Sequence, residues 1–196
     1  MSPRSLFAGP DFKRSRYDPS LAAPTMSRYR FRVALISDTH GLLRPQAVDV
    51  LRGSDLIVHA GDIGHRDIIE QLAELAPVTA VRGNNDNGAW AAGLRETEVV
   101  DVGAVLVYVI HDLAQLDLDP VAAGFHVVVS GHSHRPGVEE RNGVLYVNPG
   151  SAGPRRFALP ISVGELAVSG INIKPRLFTL EVHSKHSNPT DHADSS

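Results

Sequence analysis

The stretch RVALISDTHG at residues 32–41 decides the fold of this chain. Its first part, Arg32 to Ser37, is a short apolar run of β-branched character, which predicts a buried strand. The acid of Asp38 and the imidazole of His40 follow this strand directly. Polar groups at the end of a buried strand are typical of α/β proteins, because ligands bind there beyond the carboxyl ends of the strands.

The next fifty residues continue with alternating helix and strand patterns. Apolar residues recur at helical spacing in two stretches, and Pro77 ends the second of them. The predicted elements are a helix at Pro45–Arg52, a strand at Leu56–Ala60, a helix at Arg66–Ala76 and a strand at Val78–Val81. This order predicts a parallel sheet with helices packed on it.

After Trp90 the pattern changes to strands, several of them joined by tight turns such as Asn142-Gly143. The predicted strands are Thr97–Val102, Val105–Ile110, Phe125–Ser130, Gly137–Arg141, Val144–Val147, Ser162–Val168 and Asn172–Val182. Many strands with few helices predict an α/β protein with two sheets packed face to face and helices outside.

The composition is that of one soluble globular domain, with 196 residues, 42% hydrophobic and 21% charged. The formal charge of −3 argues against a nucleic-acid polymer as partner, because no strong basic field is present. There is no cysteine, so any metal has to be bound through nitrogen or oxygen. A cysteine-free chain is also compatible with a reducing cytoplasm, which is the location we predict.

No segment predicts a membrane span, because the longest apolar run, around Val105–Ile110, is far shorter than the roughly 18 to 20 residues needed. We expect a flexible extension at residues 1–27, one domain at 28–182 and a disordered, histidine-containing tail at 183–196. Met26 directly precedes the domain and is an alternative start to Met1.

Five of the predicted strands end in clusters of acids, amides and histidines. The clusters are Ser37–Gly41, Gly61–Asp62, Gly83–Asp86, His111–Asp112 and Gly131–His134. Counted from Asp38 through Asp62, Asn84, His111 and His132, successive clusters lie 24, 22, 27 and 21 residues apart, which is about one strand and its crossover each. We therefore expect the clusters to converge at one edge of the sheet.

Carboxylate, imidazole and amide groups without sulfur suit Mn²⁺, Fe²⁺, Co²⁺ or Zn²⁺. Seven such groups exceed what one ion takes, so two ions that share a carboxylate use them better. A two-metal site lowers the pKa of a bridging water and clamps the oxygens of an in-line displacement at phosphorus. Two divalent ions, two aspartates and one hydroxide sum to a charge of about +1, which attracts a phosphodiester. The seven candidates are Asp38, His40, Asp62, Asn84, His111, His132 and His134.

The ordered motifs SDTHG, HAGD, RGNND, GHSH and NPGS resemble those of the calcineurin-like metallophosphoesterase superfamily. Within it, the chain resembles the small bacterial and archaeal phosphodiesterases related to the eukaryotic retromer scaffold subunit, from about Arg32 to Val182. The resemblance implies a four-layer α/β/β/α sandwich of two mixed β-sheets flanked by helices. It also implies a dinuclear metal centre and phosphoester hydrolysis by a hydroxide that bridges the two ions, with no covalent enzyme intermediate.

The resemblance also assigns the ligands. Asp38, His40 and His134 would bind the first ion, and Asp62 would bridge both. The second ion would be bound by Asn84, His111 and His132. All but His111 are also predicted to be catalytic. We expect two divalent ions, with Mn²⁺ preferred and Fe²⁺, Co²⁺, Ni²⁺ or Zn²⁺ as alternatives.

Two positions depart from the family pattern. His111 is followed by Asp112 and a short insert, Leu113–Pro120, where a glycine and a longer helix-bearing loop are expected. This leaves the pocket wall beside His111 undefined. Asn85 stands where larger phosphatases of the superfamily have a histidine that assists the leaving group. Asn84 has an alternative interpretation, as a left-handed turn residue.

Several other polar residues have structural interpretations. His59 lies within an apolar strand and is predicted to be a packed core histidine. Asp86 is predicted to cap a helix at Gly88–Leu94, with contact to the substrate as the alternative. Arg155 and Arg156 are predicted to be a surface pair, with contact to a substrate phosphate as the alternative.

Two functions from different classes follow. The first is a divalent-metal-dependent phosphodiesterase that acts on a small phosphoester. The alternative is a catalytically weak or inactive protein-binding scaffold of the same fold. A homo-oligomer that pairs through an exposed hairpin edge such as Val144–Val147 is also open.

Overall fold

The computed structural model describes residues 30–156 and 158–182. The predicted N-terminal extension and C-terminal tail lie outside the described residues. Among the helices of the described part, none is long and apolar enough to cross a membrane.

Within residues 30–156 and 158–182 the chain forms ten strands and two α-helices. The helices are α1 (Pro45–Leu51) and α2 (Arg66–Ala73). The strands are β1 (Arg30–Ile36), β2 (Leu56–His59), β3 (Val78–Ala80), β4 (Thr97–Val102), β5 (Val105–Ile110), β6 (Val127–Val129), β7 (Gly137–Arg141), β8 (Val144–Asn148), β9 (Ser162–Ser169) and β10 (Asn172–Thr179). Short 3₁₀ turns lie at Ala89–Ala91 and Leu113–Gln115.

The strands form two mixed five-stranded sheets, and the predicted fold class is confirmed. The first sheet has the order β10-β9-β1-β2-β3, in which β1, β2 and β3 run parallel through the two helical crossovers. The second has the order β4-β5-β6-β8-β7, in which β5, β6 and β8 run parallel. Each sheet therefore presents three parallel carboxyl ends.

The main core lies between the two sheets. Val33, Leu35 and Val58 of the first sheet pack against Val107 and Val127 of the second, all at most 1% exposed. Because successive side chains of a strand point to opposite faces, Ala34 and Ile36 of β1 face away from this core. They pack with residues of α1 and α2 in a second cluster, which places both helices on the outer face of the first sheet.

The outer face of the second sheet has a thinner cover. Tyr108 and Val128 pack there against Leu113 and Phe125 of the segment between β5 and β6. The short insert after His111 therefore forms the fourth layer with a 3₁₀ turn and loop instead of an α-helix.

Several details differ from the sequence predictions. Strand β10 ends at Thr179 instead of Val182, and β6 spans only Val127–Val129 of the predicted Phe125–Ser130. Helix α2 ends at Ala73, three residues early, because the residue before Pro77 is kept out of the helical region and the chain closes with tight turns. Only the 3₁₀ turn Ala89–Ala91 forms where a helix at Gly88–Leu94 was expected. The hairpin strand Val144–Asn148 is not an edge, because β6 and β7 flank it.

The actual edge of the second sheet on that side is β7, and its sequence argues against pairing between copies. Glu139, Glu140 and Arg141 make it a fully exposed, charged strand. Charged side chains on edge strands are a common protection against edge-to-edge association.

Candidate metal centre

The five polar clusters converge where the parallel strands of both sheets end. Asp38, Asp62 and Asn84 follow β1, β2 and β3 of the first sheet, whereas His111 and the His132–His134 pair follow β5 and β6 of the second. The prediction of one sheet edge is therefore too simple. The clusters meet across the interface between two sheets.

Three of the side chains form a tight group near the end of β1. The Nε2 atom of His134 lies 3.2 Å from Oδ1 of Asp38 and 3.5 Å from Nε2 of His40. All three donor atoms lie within 4.8 Å of one another. Asp38 is fully buried, His134 is buried and His40 is half-buried.

Four further side chains continue the group towards the second sheet. Asp62 lies between the two parts, with Oδ2 at 3.8 Å from Nε2 of His40 and Oδ1 at 3.4 Å from Nε2 of His111. The Oδ1 atom of Asn84 lies 3.1 Å from Nε2 of His111 and 3.0 Å from Nδ1 of His132. All seven predicted residues are thus joined by contacts of 3.8 Å or less.

Several potential metal ligands of this cluster face one another with too few hydrogen atoms to form hydrogen bonds between them. The Nδ1 atom of His111 donates to the carbonyl of Ala60 at 2.7 Å, so in the neutral ring Nε2 carries a lone pair, directed at the oxygens of Asp62 and Asn84. The buried Oδ1 of Asp38 has no hydrogen-bond partner, although His134 is beside it. An orphaned buried carboxylate oxygen among ring nitrogens fits a bound cation, which would satisfy these lone pairs together.

The backbone of the site is strained. Six described residues other than glycine have φ in the left-handed region, and five of them belong to the cluster. They are Asp38 (54°), His40 (46°), Asp62 (54°), His132 (63°) and His134 (57°). Such conformations persist where surrounding contacts impose them, and they gather at functional sites. Asn84 is not among them, so the turn interpretation does not explain its position.

Burial and neighbouring charges shift the pKa values in opposite directions across the cluster. Burial lowers the pKa of His40. Burial also acts to lower the pKa of His111, but hydrogen bonds to Asp62 and Ala60 outweigh it and the net shift is upward. For Asp62, burial acts to raise the pKa, but hydrogen bonds from His111 and Asn85 lower it by a larger amount. The net shift of the Asp62 pKa is downward, so this carboxyl stays ionised.

Asn85 is the main site residue for which the sequence predicted no contact. Its backbone N–H donates to Oδ1 of Asp62 at 2.8 Å, and its side-chain Nδ2 donates to Oδ2 at 2.6 Å. Both carboxylate oxygens are thereby oriented by one neighbour. Its position directly after the predicted ligand Asn84 in RGNND is the sequence signal for this contact.

The capping interpretation of Asp86 is wrong. The 3₁₀ turn that follows begins after Gly88 and has no side-chain cap. Asp86 is 3% exposed, and its two oxygens accept from the backbone N–H groups of Gly64 and Gly83 at 2.8 Å each. It therefore ties the loop that carries Asp62 to the loop that carries Asn84.

We expect the Asp86→Asn variant to bind Mn²⁺ about 10 to 100-fold more weakly, as is usual when a group that supports a metal ligand is lost. The amide keeps one acceptor but turns an N–H group towards a backbone N–H, so one loop is released. Titration with Mn²⁺ monitored by calorimetry measures the change. Asp119→Asn is the matched control, because Asp119 accepts a backbone N–H from Val121 in an exposed loop. Equal affinity in both variants would show that the tie is dispensable.

His59 is a packed core histidine, as predicted, and it supports the first loop. Its Nε2 lies 2.9 Å from Oγ1 of Thr39, which stands between Asp38 and His40 in the sequence. Because the Thr39 hydroxyl donates its one hydrogen to the carbonyl of Ile63 at 2.9 Å, it accepts from His59. Complete burial lowers the pKa of His59 to about 4.

This shift predicts a pH-dependent stability. The unfolded chain protonates His59 near its ordinary pKa of 6.5 and the folded chain only near 4, so the free energy of unfolding decreases as the pH falls through that window. Between pH 7.5 and pH 5 the contribution of this residue amounts to about 2 kcal/mol. The His59→Gln variant, which keeps a donor for Thr39, should lack this component. Urea unfolding at both pH values with EDTA present tests it, and an unchanged pH dependence would contradict it.

Two clefts open beside the cluster, each of about 580 Å³. Asn84 and His111 line the first, together with polar residues such as Gln115. His132 lines the second, which also contains Arg135. Asp112 lines both clefts and accepts the N–H of Ala114 at the start of the 3₁₀ turn, which defines the wall beside His111.

The two-sheet sandwich and the cluster of histidine, aspartate and asparagine at its strand ends define the class of this protein as a metallophosphoesterase. A family model described as the calcineurin-like phosphoesterase superfamily domain matches residues 31–170. The chain belongs to the calcineurin-like phosphoesterase superfamily.

Individual relatives agree with this assignment. The chain is 33% identical over 162 residues to a probable metallophosphoesterase of Methanocaldococcus jannaschii, an alignment that covers 76% of this chain and 81% of the relative. It is 26% identical over 137 residues to a phosphodiesterase of the same organism, which covers 61% and 82% of the two chains.

Among solved structures, vacuolar protein sorting 29 from Cryptosporidium parvum is similar with a TM-score of 0.64 and 21% sequence identity. The similarity covers 77% of this chain and 99% of that protein. At this level of identity the comparison shows the shared fold.

Proposed function

We propose that this protein is a divalent-metal-dependent phosphodiesterase that hydrolyses a small phosphodiester. The observation that carries the proposal is a group of seven nitrogen and oxygen side chains, linked by contacts of 3.8 Å or less, that includes a buried carboxylate oxygen without a hydrogen-bond partner. Nitrogen and oxygen donors in such numbers suit two first-row divalent cations, with Mn²⁺ as our preferred candidate.

The contacts support the division into two ion sites. Asp38, His40 and His134 would hold the first cation. Asp62 reaches both groups and would be the shared ligand. The second cation would be held by Asn84, His111 and His132.

Two divalent cations held there would lower the pKa of a water molecule towards neutrality and neutralise charge on the phosphoryl oxygens. The side chains of the protein prepare the site for them. The Ala60 carbonyl fixes the tautomer of His111, so that its Nε2 stays free to act as a ligand. Asn85 holds both oxygens of Asp62 in position, which favours a preorganised site over one that rearranges during the reaction.

Two observations favour a diester over a monoester. A diester carries substituents on both sides of its phosphorus, and a cleft of about 580 Å³ lies on each side of Asp112. Two divalent cations, two aspartates and one hydroxide would sum to a charge of about +1, which suits a singly charged phosphate group. The phosphodiesterase among the relatives adds support.

The test is hydrolysis of bis(4-nitrophenyl) phosphate by the purified protein with added Mn²⁺, compared with 4-nitrophenyl phosphate and with an EDTA-treated sample. We expect metal-dependent turnover, faster for the diester, and two ions per chain by elemental analysis. The scaffold alternative predicts bound metal without turnover of either compound, and that result would reject the enzyme proposal.

The location and the oligomeric state stay predictions. We propose a cytoplasmic enzyme, and light scattering on the purified protein would determine whether it self-associates. Because the predicted pairing edge is interior and β7 is charged, a dimer would have to use another surface.

A further inference from the structure

The segment after β8 is fastened to the turn that carries the first group of donors. Both Oγ of Ser151 and the backbone N–H of Gly153 donate to the carbonyl of Asp38, at 3.0 and 3.2 Å. A Cβ atom on Gly153 would lie 2.6 Å from that same oxygen, so the close approach requires glycine. Arg44 adds a hydrogen bond from its Nε to the Gly153 carbonyl at 3.2 Å. The residues that follow are therefore delivered beside His40.

Arg156, three residues after Gly153, lies beside His40. Its Nη2 lies 3.5 Å from Nε2 of His40, and its side chain is exposed. No carboxylate of the described residues lies within 4.0 Å of its guanidinium, whereas Arg66 and Arg82 each pair with a glutamate. The adjacent Arg155 is also exposed and makes no hydrogen bond to the cluster.

We infer that Arg156 binds a phosphate oxygen of the substrate at the His40 side of the site. The inference rests on the proposed function and adds a substrate-binding residue to it. A guanidinium presents several N–H donors in a planar fork that matches phosphate, and it keeps its charge at any relevant pH. Because the guanidinium of Arg156 lies beside His40 and not beside a carboxylate, its N–H groups are free to bind an anion.

The inference separates two adjacent arginines, so Arg155→Ala is a control for Arg156→Ala. Loss of one charge-assisted hydrogen bond corresponds to a weakening of roughly 10 to 100-fold. For Arg156→Ala we expect the KM for bis(4-nitrophenyl) phosphate and the Kd of inorganic phosphate to rise by about that factor. Arg156→Lys should recover part of the loss, because it keeps the charge without the fork. The Arg155→Ala variant should have a KM and a phosphate Kd close to those of the wild type.

Three measurements distinguish the possible failures. Elemental analysis should give the same metal content in wild type and Arg156→Ala, and a loss of metal in the variant would overturn the inference in favour of a role in positioning His40. Equal KM and phosphate Kd in the two alanine variants, with an active wild type, would overturn it and leave the proposed function intact. If wild type has no turnover, the proposed function fails, and calorimetry with inorganic phosphate on the Mn²⁺-loaded protein still decides whether Arg156 binds the anion.

Discussion

The Asp62→Asn variant is expected to lose hydrolytic activity by at least about 100-fold and to retain fewer than two metal ions per chain. Asp62 is the only described residue of the cluster whose side chain contacts both His40 and His111, so its charge serves both proposed ion sites. The amide would also be a poor replacement locally. Asn85 donates to both carboxylate oxygens, and an amide nitrogen placed at either position would face a donor.

The measurement is the rate of diester hydrolysis together with elemental analysis of the same sample. Asp101→Asn makes the identical chemical change on an exposed position of β4 and should behave as wild type. Activity within tenfold of wild type, with two ions still bound to the Asp62→Asn protein, would exclude Asp62 as the shared ligand.

The second large effect is expected when Gly83 is replaced by alanine, which adds one methyl group. In the Gly83→Ala variant the new Cβ would lie 2.1 Å from the backbone nitrogen of Asp62 and 2.2 Å from its Oδ1. Relief of either contact requires a movement of Asp62 or of the loop that leads to Asn84. Overpacking of this kind costs about 1 to 3 kcal/mol of stability. A displacement of about 1 Å in a catalytic group lowers activity about 100-fold.

Thermal unfolding and diester hydrolysis measure the two consequences separately. For a domain of this size, each kcal/mol lost lowers the melting temperature by about 2 to 4 °C. Gly93→Ala is the matched control, because a Cβ at Gly93 meets nothing within 4 Å. If Gly83→Ala retained wild-type activity, the close packing of these two loops would not be needed for the site.

The strands were predictable because their signal is local. Runs such as Val105–Ile110 match the observed strand at both ends, since an apolar segment of that length between turn residues has few other ways to be buried. Boundaries were less predictable where a neighbour decides them. Helix α2 is shorter than its apolar pattern suggests, because the pattern does not show how the chain closes before Pro77.

The supporting contacts were harder to predict than the candidate donors. Asp86 looks like a helix cap in the sequence, since it precedes a helix-like stretch, but its partners are Gly64, from a loop 22 residues earlier, and Gly83. Arg156 looks like half of a surface pair. Only the hydrogen bonds between its segment and the carbonyl of Asp38 place one of the two arginines beside His40.

The sequence by itself determined the order of strands and helices and the identity of the side chains at the strand ends, because both are written in short, contiguous patterns. Only the tertiary structure decided that the clusters come from two different sheets and meet across the core between them. Residues such as Asp62 and His111 are distant in the sequence, and packing of the two apolar sheet faces brings them to 3.4 Å. Five of the seven donors also have a left-handed backbone. Aspartate and histidine adopt this conformation more often than most residues, but it is uncommon even for them, so the tertiary contacts decide where it occurs.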